Sequence, residues 1–508
     1  MGIIAKQSIK GTIVTYLGVA VGFVTTFFVI TRFLSAEDIG LARVMIDAAT
    51  LFIGLAQLGT SASILRFYPY FVSFSPKDGL SAQRSNNEHG FFFWTIVVPM
   101  VGFLLVALLF MVCYAPLSEW FGEKSPQFVN YYYLVLPLAF FMLYQTVFET
   151  NANVRMRIVF PRAVRELLTR VGLLAVYLLY AFDVVTTDGF VWSLVGVYAV
   201  AALCNTVYLF SLGGVSLRPD FAYLRQNPGI VRKYLLYTAF LVLSAVVSVL
   251  APTLSSFFIT AQMGLSYTGI FAIATYMAMM VSIPYRSLTA IAAPQLSLAI
   301  KHDDREQISH QLTQVSGNLL LIGGLILALM WVNIDLIFAI LPNGATYAVA
   351  RRTVLLLGIG QLCVATFQFT VTALSYSRYY PFTLLFSLVL TILALLLNNL
   401  FIPRWGIDGA ALATLTAQVS YYLIALITVR LALGSRIFTR RHLLTILLLV
   451  LLFAANALCQ RYIPVSTIWL SSLLRTLLVV AVAALAYQWR ISPEINEYIH
   501  ALFHRIRL

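Results

Sequence analysis

The sequence predicts an all-α polytopic membrane protein with fourteen transmembrane helices. They form two six-helix lobes in parallel pseudo-repeat, with two extra helices at the C-terminal end. Three observations predict this. First, 61% of the 508 residues are hydrophobic and only 10% are charged, where soluble domains run at roughly 45–50% and about 25%. Too few charges remain to cover a soluble surface, and the mean hydropathy of +0.89 agrees. Second, apolar runs of about 20 residues, enough for a helix to cross the hydrocarbon core, recur along the chain. Third, short segments repeat between the two halves. This composition excludes a cytoplasmic enzyme, a secreted disulfide scaffold and a disordered regulator.

The spans run over 11–33, 41–66, 91–113, 128–149, 164–182, 190–211, 233–260 and 268–294, then 313–333, 351–374, 381–402, 408–430, 443–459 and 467–489. Turn chemistry separates them, as in Ser35-Ala36-Glu37-Asp38, Ser75-Pro76-Lys77-Asp78-Gly79 and Leu341-Pro342-Asn343-Gly344. No loop leaves room for an extramembrane domain. The first span is too long for a signal peptide and lacks a cleavage site, so it is expected to stay as an anchor. The chain divides into an N-lobe (1–215), a C-lobe (216–440), the extra pair (441–490) and a cytoplasmic tail (491–508). In the tail, Ser492-Pro493-Glu494 starts a helix on which Ile495, Ile499, Leu502, Phe503 and Ile506 share a face, as in an amphipathic helix on the inner membrane surface.

The net charge of +14 would suggest nucleic acid in a soluble chain; here it reports orientation. Most basic residues, among them Lys6, Lys10, Arg84, Arg155, Arg157, Arg232, Arg440 and Arg441, fall in loops on the side of the N-terminus. Only Arg32, Arg43, Lys124, Arg351, Arg352, Arg404 and Arg461 fall opposite, while Arg170, Arg286 and Arg475 lie within spans. Both termini are therefore expected in the cytoplasm. The cysteines (Cys113, Cys204, Cys363, Cys459) are scattered in apolar stretches and read as small hydrophobes. His500 and His504 are four apart, but without a third ligand they read as a polar helix face, and no metal or other cofactor is expected. All six histidines are assigned to loops or the tail on the cytoplasmic side.

Thr31 to Leu41 has a counterpart in Thr260 to Ile270, displaced by 229 residues. Asp188-Gly189 and Asp408-Gly409 each open an apolar helix closed by Leu-Gly, at Leu212-Gly213 and Leu433-Gly434. An even number of spans per half gives both halves the same orientation, so the repeat is parallel. Two such lobes are expected to face each other across a cleft, which points to alternating access.

Ionisable groups within spans usually face the bundle interior or a watery cavity. On the second span Arg43, Asp47, Thr50, Gly54, Gln57 and Ser61 follow helical spacing, and Arg43 can pair with Asp47 one turn on. That face either lines a hydrated cavity, as its length favours, or packs as a polar seam. On the eighth span Thr275, Ser282, Arg286 and Thr289 share a face, and Arg286 sits mid-span without an acid on its own helix. A guanidinium stays charged, so Arg286 must meet water, a carboxylate such as Asp47, or an anionic ligand. The first and seventh spans add Gly18, Gly22, Thr25 and Arg32, and Ser244, Ser248, Ser255 and Gln262. Arg66 lies off the polar face, where snorkelling competes with a binding role. Arg170 is expected to pair with Glu166, Arg475 either packs or touches substrate, and Glu149 ends the fourth span. Permanent positive charge exceeds negative, a balance suited to phosphate.

The stretches Arg32-Phe33-Leu34-Ser35-Ala36-Glu37-Asp38-Ile39-Gly40, Gln57-Leu58-Gly59-Thr60-Ser61 to Leu65-Arg66-Phe67, and Leu400-Phe401-Ile402-Pro403-Arg404-Trp405-Gly406-Ile407-Asp408-Gly409 resemble the polysaccharide (O-antigen/lipid-linked oligosaccharide, Wzx-like) flippase family of the MOP superfamily. The resemblance implies a two-lobe fold with a cationic cleft. It also implies translocation of undecaprenyl-diphosphate-linked oligosaccharide from the inner to the outer leaflet of a bacterial inner membrane. Arg32, Asp47 and Arg286 occupy places comparable to the intramembrane charges of the related lipid II flippases. The expected substrate-binding set is Arg32, Arg43, Asp47, Gln57, Arg66, Arg170 and Arg286, with Asp47 as the ion-coupling candidate. The expected partners are the polyprenyl-diphosphate-linked glycan, membrane lipids and a downstream glycan polymerase, and not nucleic acid. No Walker A motif is present, so energy is expected from an ion gradient or from downstream consumption. The alternatives are a MATE-like ion-coupled exporter and a membrane glycan polymerase or ligase. The exporter should carry carboxylates on the first span, and none lies between Gly11 and Thr31. The enzyme should carry a large outer loop with an acid/base constellation, and an enzymatic role is not expected.

Overall fold

A computed structural model describes residues 14–71 except 16, 88–213, 215–221, 252–435, 437–462 and 467–489, with isolated positions at 225, 229, 232, 234, 238, 250, 492–494, 496 and 497. Gly11, Ser244, Ser248 and the face of the tail helix (Ile495, Ile499, Leu502, Phe503, Ile506, with His500 and His504) lie outside the described residues. Every regular element among the described residues is helical. Ten helices are long and apolar enough to cross a membrane, and Leu17–Phe33 is a shorter apolar one. The protein is a multi-span membrane protein.

The elements are α1 (Leu17–Phe33), α2 (Ala36–Ala56), α3 (Thr60–Phe71), α4 (Phe91–Val112), α5 (Val135–Val154), α6 (Thr169–Ala181) and α7 (Thr187–Ser211). They continue with α8 (Leu265–Met279), α9 (Ile283–Lys301), α10 (Arg305–Val332), α11 (Arg351–Tyr376), α12 (Pro381–Leu433), α13 (Arg440–Tyr462) and α14 (Ile468–Gln488). The chain groups into two compact units, Met1–Gly269 and Ile270–Leu508.

Local chemistry sets the helix ends. Ser35 caps α2: its Oγ accepts from the Asp38 N–H at 3.1 Å while the Asp38 carboxylate accepts from the Ser35 N–H at 3.3 Å. The second span does not run unbroken over 41–66. Leu58 and Gly59 both adopt positive φ (45° and 66°), ending α2 and restarting the chain as α3. The eighth span stays continuous but tightens through a 3₁₀ turn at Met280–Ser282 ahead of Pro284. In α12 the 53-residue run is two helices joined at Gly406 (φ 58°, ψ −136°), within the break expected between 402 and 408. The repeated segments share local structure, since Gly213 and Gly434 close their helices at φ 72° and 68°.

In the first unit α5 packs on α2 and α7 around the fully buried Leu41, Met45, Leu138, Leu143 and Leu194. In the second, α10, α11 and α12 enclose Leu319, Phe369, Tyr422, Ala425 and Val429. Outward faces are apolar: Leu105 and Leu108 of α4 and Leu473 of α14 are each more than half exposed, as lipid contact requires.

One approach in the first unit needs glycine on both sides. A Cβ on Gly40 would stand 1.9 Å from the Leu265 carbonyl oxygen, and one on Gly269 would stand 1.9 Å from that of Ala36. Gly40 and Gly269 are the residues that the 229-residue displacement brings into register. We expect Gly40→Ala and Gly269→Ala each to cost about 1–3 kcal/mol through overpacking, seen as a lower unfolding midpoint of the detergent-solubilised protein. Unchanged midpoints would show that this contact carries no packing energy.

Candidate functional site

The polar face of α2 centres on one ion pair. Arg43 Nε donates to Asp47 Oδ2 at 2.8 Å, as the four-residue spacing predicts. The Asp47 side chain is 8% exposed and that of Arg43 21%, so the carboxylate is nearly dry and depends on its partner. Thr50 turns its hydroxyl back onto the Ile46 carbonyl at 2.7 Å. Gln57 ends α2, and its Oε1 accepts from Ser61 Oγ across the break at 3.2 Å. The expected single stripe from Arg43 to Ser61 is therefore corrected to two stretches hinged at Leu58-Gly59, because both residues leave the helical region.

The other expected residues divide into committed and exposed groups. Arg170 donates to Glu166 at 3.0 Å, as expected. Its guanidinium lies over α1, where a Cβ on Gly22 would come within 2.2 Å of Nη1. Arg475 Nη1 lies 3.7 Å from Asp335, a carboxylate it shares with Arg351 at 2.9 Å, so it ties α14 to the turn after α10. Arg32 and Arg66 are exposed, each with its guanidinium near the following phenylalanine ring (5.5 and 5.8 Å to the centroids).

Arg286, on α9, is exposed and has no ion pair among the described residues. The hydroxyls on its face are bound to their own helix: Thr275 to Phe271 O at 2.8 Å, Ser282 to Met279 O at 3.0 Å and Thr289 to Tyr285 O at 2.7 Å. The guanidinium is thus the group on that face with hydrogen-bond capacity to give. It can bind an anion, and it cannot lose its charge.

Three features escape the sequence. The polar seam of α5 is one: Gln145 Nε2 donates to Thr169 at 3.3 Å, Asn151 Nδ2 to Thr95 at 3.2 Å, and Glu149 accepts from Arg165 at 2.9 Å. Gln145 and Glu149 stand four apart, the same helical signal that marks α2. Glu149 also lies one turn inside the end of α5, which runs on to Val154. The second is a buried bidentate pair, with Arg155 Nη2 at 2.7 and 2.6 Å from the Glu88 oxygens and Tyr68 donating to Glu88 at 3.2 Å. The third corrects the placement of His442 in a loop, as α10 corrects that of the exposed His310. His442 is buried at the start of α13, Nε2 2.9 Å from Ser316 Oγ and Nδ1 2.9 Å from Thr439 Oγ1. Among the described residues no three histidine, cysteine, aspartate or glutamate side chains gather as a metal site.

Residues 4–298 match the family model described as polysaccharide biosynthesis protein. No curated protein sequence matches the chain. Among solved structures, the lipid II flippase MurJ in an inward closed conformation shares the fold at TM-score 0.66 and 12% identity, over 94% of this chain and 99% of that one. A multidrug resistance MATE family transporter of the MOP superfamily, inward-facing, follows at TM-score 0.62 and 12% identity, over 83% and 98%. The Vibrio cholerae MATE transporter VcmN in its bent form matches at TM-score 0.52 and 14% identity, over 85% and 98%.

Removing one member of the α2 pair strands the other in a dry site. Breaking a fully buried pair costs about 3–5 kcal/mol, and Arg43 is partly exposed, so we expect Arg43→Ala to cost about 1–3 kcal/mol. Adding Asp47→Asn should restore most of that loss. Thermal unfolding of the single and double variants measures it, and equal losses in both would refute the coupling.

Proposed function

The chain belongs to the polysaccharide biosynthesis protein family, and we propose that within it the protein is a lipid-linked oligosaccharide flippase. It moves undecaprenyl-diphosphate-linked oligosaccharide from the inner to the outer leaflet of a bacterial inner membrane by alternating access. Both termini are cytoplasmic, and fourteen spans form two six-helix lobes plus a C-terminal pair. In the second unit Arg286 binds phosphate of the substrate, and in the first Arg32, Arg43, Gln57, Arg66 and Arg170 are the substrate-binding residues. Asp47 couples transport to an ion, and a glycan polymerase consumes the product.

The observation that carries this reading is Arg286, an exposed guanidinium in a membrane-spanning segment without an ion pair among the described residues. At the centre of a span and facing lipid, such a charge would cost about 2.5–3.5 kcal/mol. Placed on a hydrated path it binds phosphate through short, charge-assisted contacts. Diphosphate needs that help, since an unaccompanied charge crosses hydrocarbon only at a cost of many kcal/mol.

The MATE fold likeness keeps a small-molecule exporter as the competing reading. It is disfavoured by the carboxylate-free first span between Gly11 and Thr31. Complementation of a glycan-export mutant separates the two. Arg286→Ala and Asp47→Ala should abolish surface glycan at normal expression, and Arg286→Lys should restore part of it. Full activity of Arg286→Ala would sink the arginine role. Wild-type transport of a cationic dye in proteoliposomes, with no glycan phenotype, would favour the exporter.

A further inference from the structure

Away from α2 and α9, the first unit concentrates charge where α5 ends and α6 begins. Arg165 Nη1 donates to Glu149 Oε1 at 2.9 Å, and Arg165 Nε to Glu166 Oε1 at 3.3 Å. The second oxygen of Glu166 accepts from Arg170 at 3.0 Å. Arg162 belongs to the same group and acts on Glu149 through its charge, yet its buried Nε has no hydrogen-bond partner among the described residues. Three guanidinium groups thus face two carboxylates, and one buried donor is unspent.

The members are not equally held. The π-helical turn Val164–Leu168 carries Arg165 and Glu166, and π turns often mark functional sites. Glu166 and Arg170 are pinned against α1: a Cβ on Gly18 would lie 2.5 Å from Glu166 O, and one on Gly22 would lie 2.2 Å from Arg170 Nη1. The Arg165 side chain, by contrast, is 50% exposed, while the Glu149 side chain it neutralises is 8% exposed. Glu149 is therefore a buried acid whose hydrogen-bonded cation is the most exposed member of the cluster.

We propose that Glu149 and Arg165 form a proton-exchange device that couples phosphate binding to proton uptake. This rests on the phosphate-bearing substrate proposed above. Arg165 leaves Glu149 for a phosphate oxygen, a bidentate contact that suits guanidinium well. Glu149 then stands buried without its hydrogen-bonded cation, a state that is strongly disfavoured, and takes one proton from solvent onto its carboxylate. The sequence is balanced: Arg165 gives up its contacts with Glu149 and Glu166 for one phosphate contact, Glu149 gains one proton, and Glu166 keeps Arg170 as its cation. When the phosphate leaves, Arg165 returns and the proton is released.

Among the described residues, the charged groups acting on Glu149 are Arg165, Arg162 and Glu166. The nearest ionic group along α5, Arg155, is closed bidentately on Glu88. From α7 the reaching side chain is the uncharged Asn205, which donates to the Gln145 carbonyl at 3.4 Å. From α1, Gly18 and Gly22 approach the cluster and bring no charge. Arg165 is thus the cation whose movement changes the charge state of Glu149.

The test uses the full-length protein in phosphatidylcholine nanodiscs with geranylgeranyl diphosphate as probe. Binding is followed by calorimetry, and proton uptake by a pH-sensitive dye in weak buffer near neutrality. The wild type should take up about one proton per ligand bound beyond the uptake of Glu149→Gln. Glu149→Gln should bind as tightly or more tightly, because Arg165 is already released. Arg165→Ala should bind about tenfold more weakly and lose the same proton, which also covers failure of Glu149→Gln to fold. Equal uptake by the wild type and either variant would overturn the device while leaving the flippase reading intact. A wild type that does not bind the probe would overturn both.

Discussion

A charge in hydrocarbon must be paired, hydrated or bound to a ligand, and the arrangement of this protein follows from that constraint. With charged residues at 10% of the chain, the intramembrane ones can be followed to their partners. Arg43 and Asp47 close on each other within one turn of α2. Arg475 and Arg351 share Asp335. Arg155 and Glu88 neutralise each other where α5 ends. The first pair neutralises charge within one helix, and the other two tie separate elements together. Against them, Arg286, Arg32, Arg66 and the half-exposed Arg165 are among the exposed cations that can meet an anion.

Close backbone packing is the second organising element, and it works with the ion pairs. Without a hydrophobic force between helices in lipid, association depends on small residues and polar contacts. Gly18 and Gly22 bring α1 onto the Glu166–Arg170 pair, and Gly40 with Gly269 lets α2 and the start of α8 meet backbone to backbone. Both sets fall in segments that the sequence marks by spacing or by repetition. Breaks at Leu58-Gly59 and Gly406, with a 3₁₀ turn at Met280–Ser282, interrupt the regular course of the long helices.

Most of the fold is legible in the sequence because bilayer thickness fixes span length and apolar runs report it directly. The pairs Arg43–Asp47 and Arg170–Glu166 are legible because partners four residues apart on a helix must be neighbours. The break after Gln57 is not, since Leu58 gives no composition signal for positive φ and a lone glycine is common in spans. Pairs such as Arg165–Glu149 and Arg475–Asp335 join residues of different helices, and only folding reveals them. His442 escapes for a related reason: its burial comes with Ser316, on a helix more than a hundred residues earlier. The polar seam of α5 carries a visible four-residue signal in Gln145 and Glu149, which the longer stripe on α2 overshadows.

The central claim is that the exposed guanidinium of Arg286 accompanies a diphosphate through the membrane. The most direct test reconstitutes the protein into liposomes loaded on one leaflet with a fluorescent polyprenyl-diphosphate oligosaccharide and follows its arrival at the other. Wild-type protein should transfer the label, and Arg286→Ala should bring transfer down to that of protein-free liposomes while Arg286→Lys recovers part of it. Transfer by Arg286→Ala at the wild-type rate would contradict the account.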